Sequence, residues 1–395
     1  MRFFFAMIVM TALAGTAAAE PIRIGLSGPL TGRSSSTGMA MLNGAKLAVS
    51  EINKAGGVLE RQLELVQRDD EGNVTLGQAA ARQLIEDEHV VATVGFGDTD
   101  VALASQRSYE TAAIPVLTVA ATGDQITHQF QPPEFKTNYV FRVAITDSIQ
   151  ASLIVREAME VRRLRAPALL TDTTAQGQVF RGLLRAALDA EHVSPAADET
   201  FAIGDTDMTT QLSHARQATA GVILVYGQGA ELEAIANSMG VLGWKLPIIG
   251  NADLAMAIFL AGSNANGDGA SMPLTVVQSG DTPKRAAFFA AYARTYRMAR
   301  IPAPEVAAQA YDSVWLLKAA IEQAESTDGA KIRAALENLR TTVPGVVTVY
   351  DRPFSASDHE AISANIPLFG VVRNMGVVAA HEEDLSGERA VRSKQ

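Results

Sequence analysis

The stretch of sequence that decides the fold spans residues 22–67 and reads IRIGLSGPLTGRSSSTGMAMLNGAKLAVSEINKAGGVLERQLELVQ. It opens with a short apolar run at 22–27, typical of a buried strand, and a loop rich in Gly and Ser follows at 28–38. Apolar residues then recur at the spacing of one helical face, at Leu42, Ala45, Val49 and Ile52. After two glycines, residues 63–67 form the next predicted strand. This strand–helix–strand unit predicts parallel strands joined by a crossover helix.

The same alternation continues along the chain. Strands are predicted at residues 90–96, 115–120, 168–171, 199–202, 222–226, 246–250, 346–349 and 367–372. Helices are predicted between them, with two strong patterns at 284–298 and 304–324. No low-complexity linker interrupts the alternation. We therefore predict an α/β protein with two doubly wound lobes, between which the chain crosses in short extended segments.

The composition indicates a folded protein with a sizeable core. The chain has 395 residues, of which 48% are hydrophobic, and 33 Lys and Arg against 43 Asp and Glu give a net charge of -10. This acidic balance argues against binding to nucleic acid or to an anionic membrane surface, because both need clustered Lys and Arg. Because the chain has no cysteine, disulfides, thiolate metal sites and Cys nucleophiles are excluded.

The first nineteen residues have the pattern of a secretory signal peptide. Arg2 precedes an uncharged stretch at residues 3–19, which ends in small residues up to Ala19. One positive residue, a short apolar run and a small-residue end are typical of a cleaved signal. The alternative, an N-terminal membrane anchor, would need about 20 apolar residues to span the bilayer. We expect cleavage near Ala19 and an exported mature protein that begins near Glu20.

Motifs for catalysis and for metal or nucleotide binding are incomplete. Residues 25–32, GLSGPLTG, follow a strand but lack the spacing and the ending of a phosphate-binding loop. Residues 264–269 begin like a calcium-binding loop, but Thr275 stands where the bidentate Glu is required. Asp69 and Asp70 follow a strand without an identifiable acid–base partner. We therefore predict no catalytic residue, no metal site and no cofactor.

Small hydrogen-bonding residues remain at the predicted strand ends, where doubly wound folds bind their ligands. Gly97, Asp98 and Thr99 precede a helix, and Ala120 to Thr122 follow the next strand. Two hydroxyls together with free main-chain N–H groups at a helix start could hold a carboxylate without a positive charge. An equally open alternative is that Thr99 and Thr122 only cap their own helices.

The chain resembles a known family, the periplasmic leucine/isoleucine/valine-binding proteins, which are type I solute receptors of ABC importers. The resemblance covers the mature chain and rests on the order and spacing of several motifs: Ile24-Gly-Leu-Ser-Gly-Pro-Leu-Thr-Gly32, Asn43-Gly-Ala-Lys-Leu-Ala-Val-Ser-Glu-Ile-Asn53, Gly56-Gly57, Leu63-Glu-Leu65, Asp69-Asp70, Ile114-Pro115, Ala120-Ala-Thr122 and Ala310-Tyr-Asp312. It implies a Venus-flytrap fold in which two doubly wound lobes, joined by a three-segment hinge, close on one small ligand. It also implies a periplasmic monomer that docks on an ABC permease in the inner membrane.

The resemblance implies where the lobes begin and end. The N-terminal lobe is expected to contain residues 20–142 plus 272–347, and the C-terminal lobe residues 143–271 plus 348–395. The three hinge segments are expected near residues 141–144, 271–276 and 347–351.

The resemblance also implies roles for residues of the first lobe. Thr99 and Thr122 match the hydroxyls that hold the ligand carboxylate in the family. Ala120 matches the residue whose main-chain carbonyl accepts a hydrogen bond from the ligand ammonium. Gly97 and Asp98 match neighbouring loop positions that line the pocket for the ligand side chain.

Other positions of the implied site depart from the family pattern. Gln176 and Gln228, in the second lobe, stand where amino-acid receptors often have Tyr, and Thr37 stands where a Tyr can close the pocket. The acidic partner of the ligand ammonium would align with Ala252, and Asp253 follows one residue later. These polar groups fit an aliphatic ligand poorly, because each unpaired buried polar group costs about 1–3 kcal/mol. A polar amino acid, an amide and a small hydroxylated carboxylate all stay open as ligands.

The predicted function is the capture of an amino acid or a related small carboxylate or amide by lobe closure, followed by delivery to a permease, without catalysis. Two alternatives remain. The first is a sensor with the same fold that signals to a partner protein. The second, a doubly wound enzyme, is less favoured because the chain lacks a phosphate motif and an acid–base constellation.

Overall fold

The computed structural model describes residues 19–131, 133–278, 281–385 and 393–394, so the predicted signal peptide lies outside the described residues except for Ala19. The N-terminal part forms a first sheet of five parallel strands: β1 (Ile22–Gly28), β2 (Leu63–Asp69), β3 (Ala92–Gly95), β4 (Val116–Thr118) and β5 (Val140–Arg142). Their order across the sheet is β2-β1-β3-β4-β5.

Four helices connect these strands: α1 (Ser35–Lys54), α2 (Val74–Arg82), α3 (Thr99–Ala112) and α4 (Gln125–His128). The predicted unit at residues 22–67 is confirmed, because β1 and β2 pair in parallel along their whole length. The turn between them is held by Asn53, whose side chain donates to Leu63 O at 2.8 Å and accepts from Leu63 N at 2.7 Å. The end of α1 is thereby fixed to the beginning of β2.

The chain then builds a second sheet from the strands β6 (Pro167–Asp172), β7 (Ala197–Phe201), β8 (Val222–Tyr226), β9 (Ile248–Gly250) and β10 (Ser271–Leu274). The helices that precede and connect them are α5 (Asp147–Arg156), α6 (Ala175–Ala190), α7 (Thr209–Gln217), α8 (Gly229–Val241) and α9 (Ala257–Gly262). The helices α10 (Pro283–Tyr296), α11 (Pro304–Ala324) and α12 (Gly329–Leu336) follow, with the short strands β11 (Val343–Pro344) and β12 (Val349–Tyr350). The chain then adds β13 (Leu368–Arg373) and β14 (Gly376–Ala379) to the second sheet.

The second sheet has the order β14-β13-β10-β9-β8-β6-β7. Its strands from β6 to β10 pair in parallel, whereas β13 is antiparallel to both of its neighbours. Residues 271–274, which the sequence analysis placed in a hinge, therefore belong to an interior strand of this sheet, bonded to β9 on one side and β13 on the other.

Each sheet is covered by helices on both faces, as the alternation predicts. A large apolar core joins one face of the first sheet to α1, α10 and α11, and a smaller core lies on its other face. Two further cores cover the faces of the second sheet. Helices α1 and α11 approach so closely that a Cβ on Gly44 would lie 2.1 Å from Ala307 O, so only glycine fits there.

Residues 348–366 pack against the first sheet, although the sequence analysis assigned residues 348–395 to the second lobe. Arg142 N donates to His359 O, and Ala361 N donates to Arg142 O, each at 2.9 Å, so this segment continues the edge of the sheet beside β5. The buried Arg142 guanidinium also binds Glu360, with Nε 2.7 Å from Oε2. Tyr350 and Phe354 belong to the core of the first sheet.

The two lobes follow the two sheets. We propose that the first lobe contains residues 20–144 and 276–366 and the second lobe residues 145–275 and 367–385. The chain then crosses between the lobes near residues 144, 275 and 366, because three pairs of nearby apolar side chains belong to cores of different sheets: Val143 and Ile145, Leu274 and Val276, and Ile366 and Leu368.

Candidate functional site

A cavity of about 220 Å³ lies between the lobes, at the carboxyl ends of the parallel strands of both sheets. Its wall includes every residue that the sequence analysis proposed for the site: Thr37, Gly97, Asp98, Thr99, Ala120, Thr122, Gln176, Gln228 and Asp253. Both lobes contribute residues to this wall. The structure brings these residues together, and their roles toward a ligand are proposed below.

By the proposed boundaries, the division is six and three: the second lobe contributes Gln176, Gln228 and Asp253, and the first lobe contributes the other six residues. Gln228 immediately precedes α8, but its side chain does not cap that helix and bonds to no described residue. Thr37 lies in the first turn of α1, and Gly97 lies against Pro29, whose Cδ would be 2.8 Å from a Cβ at that position.

The beginning of α3 differs from the prediction in one respect. Asp98, not Thr99, is the N-cap, and its Oδ1 accepts hydrogen bonds from Asp100 N at 2.9 Å and Val101 N at 3.2 Å. Burial raises the pKa of Asp98. The free N–H groups that the sequence analysis reserved for a ligand anion are therefore already bonded to a side chain of the protein.

Thr99 is the first residue of α3 and has its hydroxyl directed across the loop after β4. Its Oγ1 accepts from Gly123 N at 3.2 Å, so its own proton remains available to a ligand. A Cβ on Gly123 would lie 2.5 Å from Thr99 Cγ2, so the absence of a side chain there permits this approach. Asp98 and not Thr99 therefore caps α3. Thr99 remains a candidate for binding the ligand.

Thr122 contacts the second lobe. Its carbonyl oxygen accepts from Asp147 N at 3.0 Å, and its hydroxyl bonds to the Asp147 carboxylate. Gln176 Nε2 donates to the same carboxylate. Burial raises the pKa of Asp147 to about 6, and the neighbouring Asp124 adds to this effect, whereas the bonds from Thr122 and Gln176 oppose it. The Asp147 carboxylate therefore accepts hydrogen bonds from the side chains of two predicted site residues, Thr122 and Gln176.

Two carboxylates define the wall contributed by the second sheet. Asp172, at the end of β6, is 2% exposed, and its Oδ1 accepts from Thr174 N at 2.9 Å. Asp253 follows β9, and its Oδ2 accepts from Asn251 Nδ2 at 3.0 Å. Burial, and next the charge of Asp172, raises the pKa of Asp253 to about 7. An acid is thus present near the position where the resemblance requires one.

The wall also contains residues that were not predicted from the sequence, among them Arg33, Asp172, Tyr226, Glu305 and Gln309. Arg33 lies in the loop at residues 28–38, Asp172 directly follows the predicted strand 168–171, and Tyr226 ends the predicted strand 222–226. Glu305 and Gln309 lie on α11, far from any predicted strand end. Their place in the wall depends on how α11 packs against α1, for which the local pattern carries no signal.

Two motifs that had suggested other chemistry have structural roles here. Asp69 Oδ1 accepts from Leu30 N at 2.9 Å and Thr31 N at 3.3 Å, so the N–H groups of the Gly-rich loop are held by the protein itself. Residues 264–267 form a short 3-10 helix. Within the described part of the chain, no group of three or more His, Asp or Glu side chains is arranged to hold a metal ion.

Residues 21–372 match the sequence profile of a family described as periplasmic binding protein. The chain belongs to this family of periplasmic binding proteins. No helix among the described residues is long and apolar enough to cross a membrane.

Individual periplasmic binding proteins are similar to this chain over most of its length. The "Leu/Ile/Val-binding protein homolog 3" of Brucella melitensis is 27% identical over 326 residues, which are 82% of this chain and 85% of that protein. The branched-chain amino acid transporter substrate-binding protein LivJ of Streptococcus pneumoniae, solved with isoleucine, has a TM-score of 0.80 at 25% identity and covers 91% of this chain and 98% of its own. A solute-binding protein of an ABC transporter from Rhodopseudomonas palustris, solved with 3,4-dihydroxybenzoic acid, has a TM-score of 0.76 at 19% identity, covering 90% and 95%. The predicted family and the predicted two-lobe fold are confirmed.

Proposed function

We propose that this protein is the solute receptor of an ABC importer, which captures an amino acid or a related small carboxylate or amide in the periplasm and delivers it to an inner-membrane permease. We further propose that it acts as a monomer without catalysis, after removal of a signal peptide near Ala19. The observation that carries the proposal is the cavity between the lobes, whose wall contains Thr99 and Thr122 from one lobe and Gln176 and Asp253 from the other.

The first lobe supports capture of a carboxylate. The Thr99 hydroxyl has its proton available, and it lies beside the loop that carries Thr122 and Gly123. The main-chain carbonyl of Ala120 lies in the same wall and is a suitable acceptor for a ligand ammonium. Isoleucine and 3,4-dihydroxybenzoic acid, found in two structural neighbours, share a carboxyl group. We propose that this group binds to Thr99 and the neighbouring loop.

Closure of the lobes would complete the site. Hydrogen bonds already cross between the lobes, from Arg33 to Glu231 and from Ala257 N to Pro302 O at 3.0 Å. Gln176 Oε1 of the second lobe would lie 3.2 Å from a Cβ on Gly123 of the first. A ligand that contacts both walls stabilises the closed state, because some of these contacts do not exist when the lobes are apart.

The experiment is a thermal-shift screen of the mature protein with amino acids, amides, benzoate and hydroxybenzoates, with nucleotides as a contrasting class. A ligand at one hundred times its Kd adds about 2.7 kcal/mol to the free energy of unfolding. Members of the first group should therefore raise the Tm by several degrees. The hit should be recovered chemically unchanged after prolonged incubation. A response to nucleotides alone, or turnover of the hit, would overturn the proposal.

Variants then locate the binding group. The double variant Thr99→Ala/Thr122→Ala should lose the ligand-induced rise in Tm while its ligand-free stability falls by about 2–4 kcal/mol, because Gly123 N and the Asp147 carboxylate each lose a hydrogen-bond partner. Thr111→Ala is the matched control, because Thr111 is an exposed residue of α3 whose hydroxyl bonds only to Arg107 O. A normal ligand response in the double variant would show that the carboxylate binds elsewhere.

A further inference from the structure

Carboxylates outnumber basic groups in the wall of the cavity. Among the described residues that line it, five are acidic, namely Asp98, Asp100, Asp172, Asp253 and Glu305. One lining residue, Arg33, is basic, and its guanidinium is already paired with Glu231. A neutral zwitterion such as isoleucine brings no net positive charge, so it would leave this excess of negative charge unbalanced.

Acceptor atoms in the same wall also have no donor. Asp172 bonds to Thr174 through Oδ1 only, and no described residue donates to its Oδ2. Glu305, which is 8% exposed, bonds to Thr275 through Oε1 only, at 2.8 Å from Thr275 N. Gln309, which is 2% exposed and lies one turn further along α11, has no described partner for its Oε1. Gln309 is not acidic, so its unpaired oxygen is evidence separate from the excess of negative charge. A buried oxygen without a partner indicates that the ligand supplies an N–H donor.

These acceptors line the same cavity as Asp253. Asp172 at the end of β6, Glu305 on α11 and Asp147 on α5 all add to the effect of burial in raising the pKa of Asp253. The neutral groups that bond to Asp253 are Gly229 N on α8 and the Asn251 amide. Both lobes therefore contribute negative or acceptor groups to one region, where a cation would relieve their mutual repulsion.

We propose that the ligand is a basic amino acid, whose side-chain ammonium or guanidinium binds among Asp172, Asp253, Glu305 and Gln309. This inference rests on the proposed function, because it places the ligand carboxylate at Thr99. The several N–H groups of such a side chain can satisfy the three unpartnered oxygens together. Closure then brings Glu305 and Gln309 of the first lobe to the same cation as Asp172 and Asp253 of the second lobe.

The experiment measures the binding of L-lysine, L-ornithine and L-arginine by calorimetry at pH 7.5. L-norleucine is the matched control ligand. Norleucine has the carbon chain of lysine without the terminal ammonium. We expect lysine, or another of the three basic amino acids, to bind at least tenfold more tightly than norleucine and than benzoate. The preference should weaken as the salt concentration rises, because it arises from charge.

Two variants test the location of the cation, and each removes one charge without changing size. Asp172→Asn and Glu305→Gln should each reduce the preference for the basic amino acid over norleucine about tenfold. Asp189→Asn is the matched control, because Asp189 is an exposed acid near the end of α6 outside the cavity wall. Two substitutions on different lobes keep the test decisive if one of them prevents folding.

The outcomes separate this inference from the proposed function. Tighter binding of norleucine or benzoate than of any basic amino acid overturns the inference and leaves a solute receptor. A preference for basic amino acids that survives in both variants overturns the assigned location of the cation. If no amino acid, amide or carboxylate binds at all, both the proposed function and the inference fail.

Discussion

Asp98 and Thr99 are adjacent residues with different tasks. Either side chain is a good N-cap, and the sequence pattern alone does not decide between them. In the structure, Asp98 caps α3 and Thr99 accepts from Gly123 N across the loop. Because the carboxylate satisfies the N–H groups of the helix, the hydroxyl is left to act toward the cavity. Asp98 thus has a structural role, and the adjacent Thr99 is a candidate ligand-binding residue.

The first residue-scale prediction concerns the Thr99 hydroxyl. Thr99→Val keeps the shape of the side chain but removes the donor, and Thr99→Ser keeps the donor. A hydrogen bond to a charged group contributes about 1.5–3 kcal/mol, so we expect Thr99→Val to weaken ligand binding at least tenfold and Thr99→Ser to retain most of it. Calorimetry with the hit from the thermal-shift screen measures both. Equal affinities of the two variants would contradict a role for the hydroxyl.

The second residue-scale prediction concerns pH and the ligand-free protein. Asp253 has a pKa of about 7 in the folded state against 3.8 for an ordinary Asp, so the folded protein binds protons more tightly than the unfolded chain does. Stability is therefore highest in the acidic part of this window and falls as the pH rises toward 7 and above. Asp147 has a pKa of about 6 and acts in the same direction. We expect the Tm to fall between pH 5.5 and 8.

The control for this pH dependence is Asp253→Asn, which should show a shallower decline of Tm over the same range. Asp189→Asn, an exposed site, should follow the wild type. The groups that face Asp253 are Asp172, Glu305 and Asp147, and they remain in the variant. A Tm that rises with pH, or an unchanged slope in Asp253→Asn, would be inconsistent with the assigned titration.

At the scale of elements, a buried carboxylate fixes the segment that follows α12. Asp312, in the interior of α11, accepts from Val346 N at 2.7 Å, Val347 N at 2.8 Å and Tyr350 Oη at 3.1 Å. Burial raises the pKa of Asp312 to about 6, although all three bonds oppose this change. The motif Ala310-Tyr-Asp312, noted in the sequence for its resemblance to a family, therefore has a structural task away from the cavity.

The element-scale prediction follows from those three bonds. Asp312→Ala would leave two main-chain N–H groups and one hydroxyl without an acceptor, at about 1–3 kcal/mol for each unsatisfied group. We expect a loss of about 3–5 kcal/mol in the free energy of unfolding, measured by urea denaturation. Asp351→Ala, at an exposed acid just beyond β12, is the matched control and should change stability by less than about 0.5 kcal/mol. Similar losses in both variants would contradict the role assigned to Asp312.

Regular elements were predictable where the local pattern agreed with the tertiary environment. The predicted strand at 222–226 and the predicted helix at 304–324 coincide with β8 and α11. Strand β10 was missed because SMPL carries a proline and only four residues, so its place between β9 and β13 depends on pairing with distant strands. Residues 348–366 were misplaced for the same reason, since their contact with β5 is made by side chains and bonds far apart in sequence.

At the scale of the whole molecule, site residues that follow strands are predictable from the sequence, whereas site residues contributed by helix packing are not. Residues at strand ends, such as Thr99 and Gln228, follow from the rule that parallel strands point their carboxyl ends at the ligand crevice. Glu305 and Gln309 come from α11, which packs closely against α1 at Gly44 and lines the crevice without following a strand. Four of the five acids in the wall therefore follow strand ends in the sequence, whereas Glu305 and Gln309 join them only in the assembled lobes.

The prediction that belongs to the whole molecule concerns the contact between Arg33 and Glu231 across the crevice. Glu231 is 1% exposed and also accepts from Gly204 N at 2.8 Å, whereas Arg33 lies on the exposed loop of the first lobe. Separation of the lobes would leave the buried carboxylate without its guanidinium, so the pair favours closure. Because Arg33 is largely exposed, we expect no more than about 1 kcal/mol, or roughly fivefold in ligand affinity.

Arg33→Ala and Glu231→Gln should therefore weaken ligand binding to a similar extent, and the double variant should be no weaker than either single variant, because one shared contact is lost in all three. Small-angle scattering of each ligand-free variant should report a larger radius of gyration than the wild type, since the population of separated lobes increases. Lys318→Ala, which removes an ion pair with Glu322 within α11, is the control and should change neither quantity. Additive losses in the double variant would mean that Arg33 acts on the ligand directly and that the ion pair does not hold the lobes together.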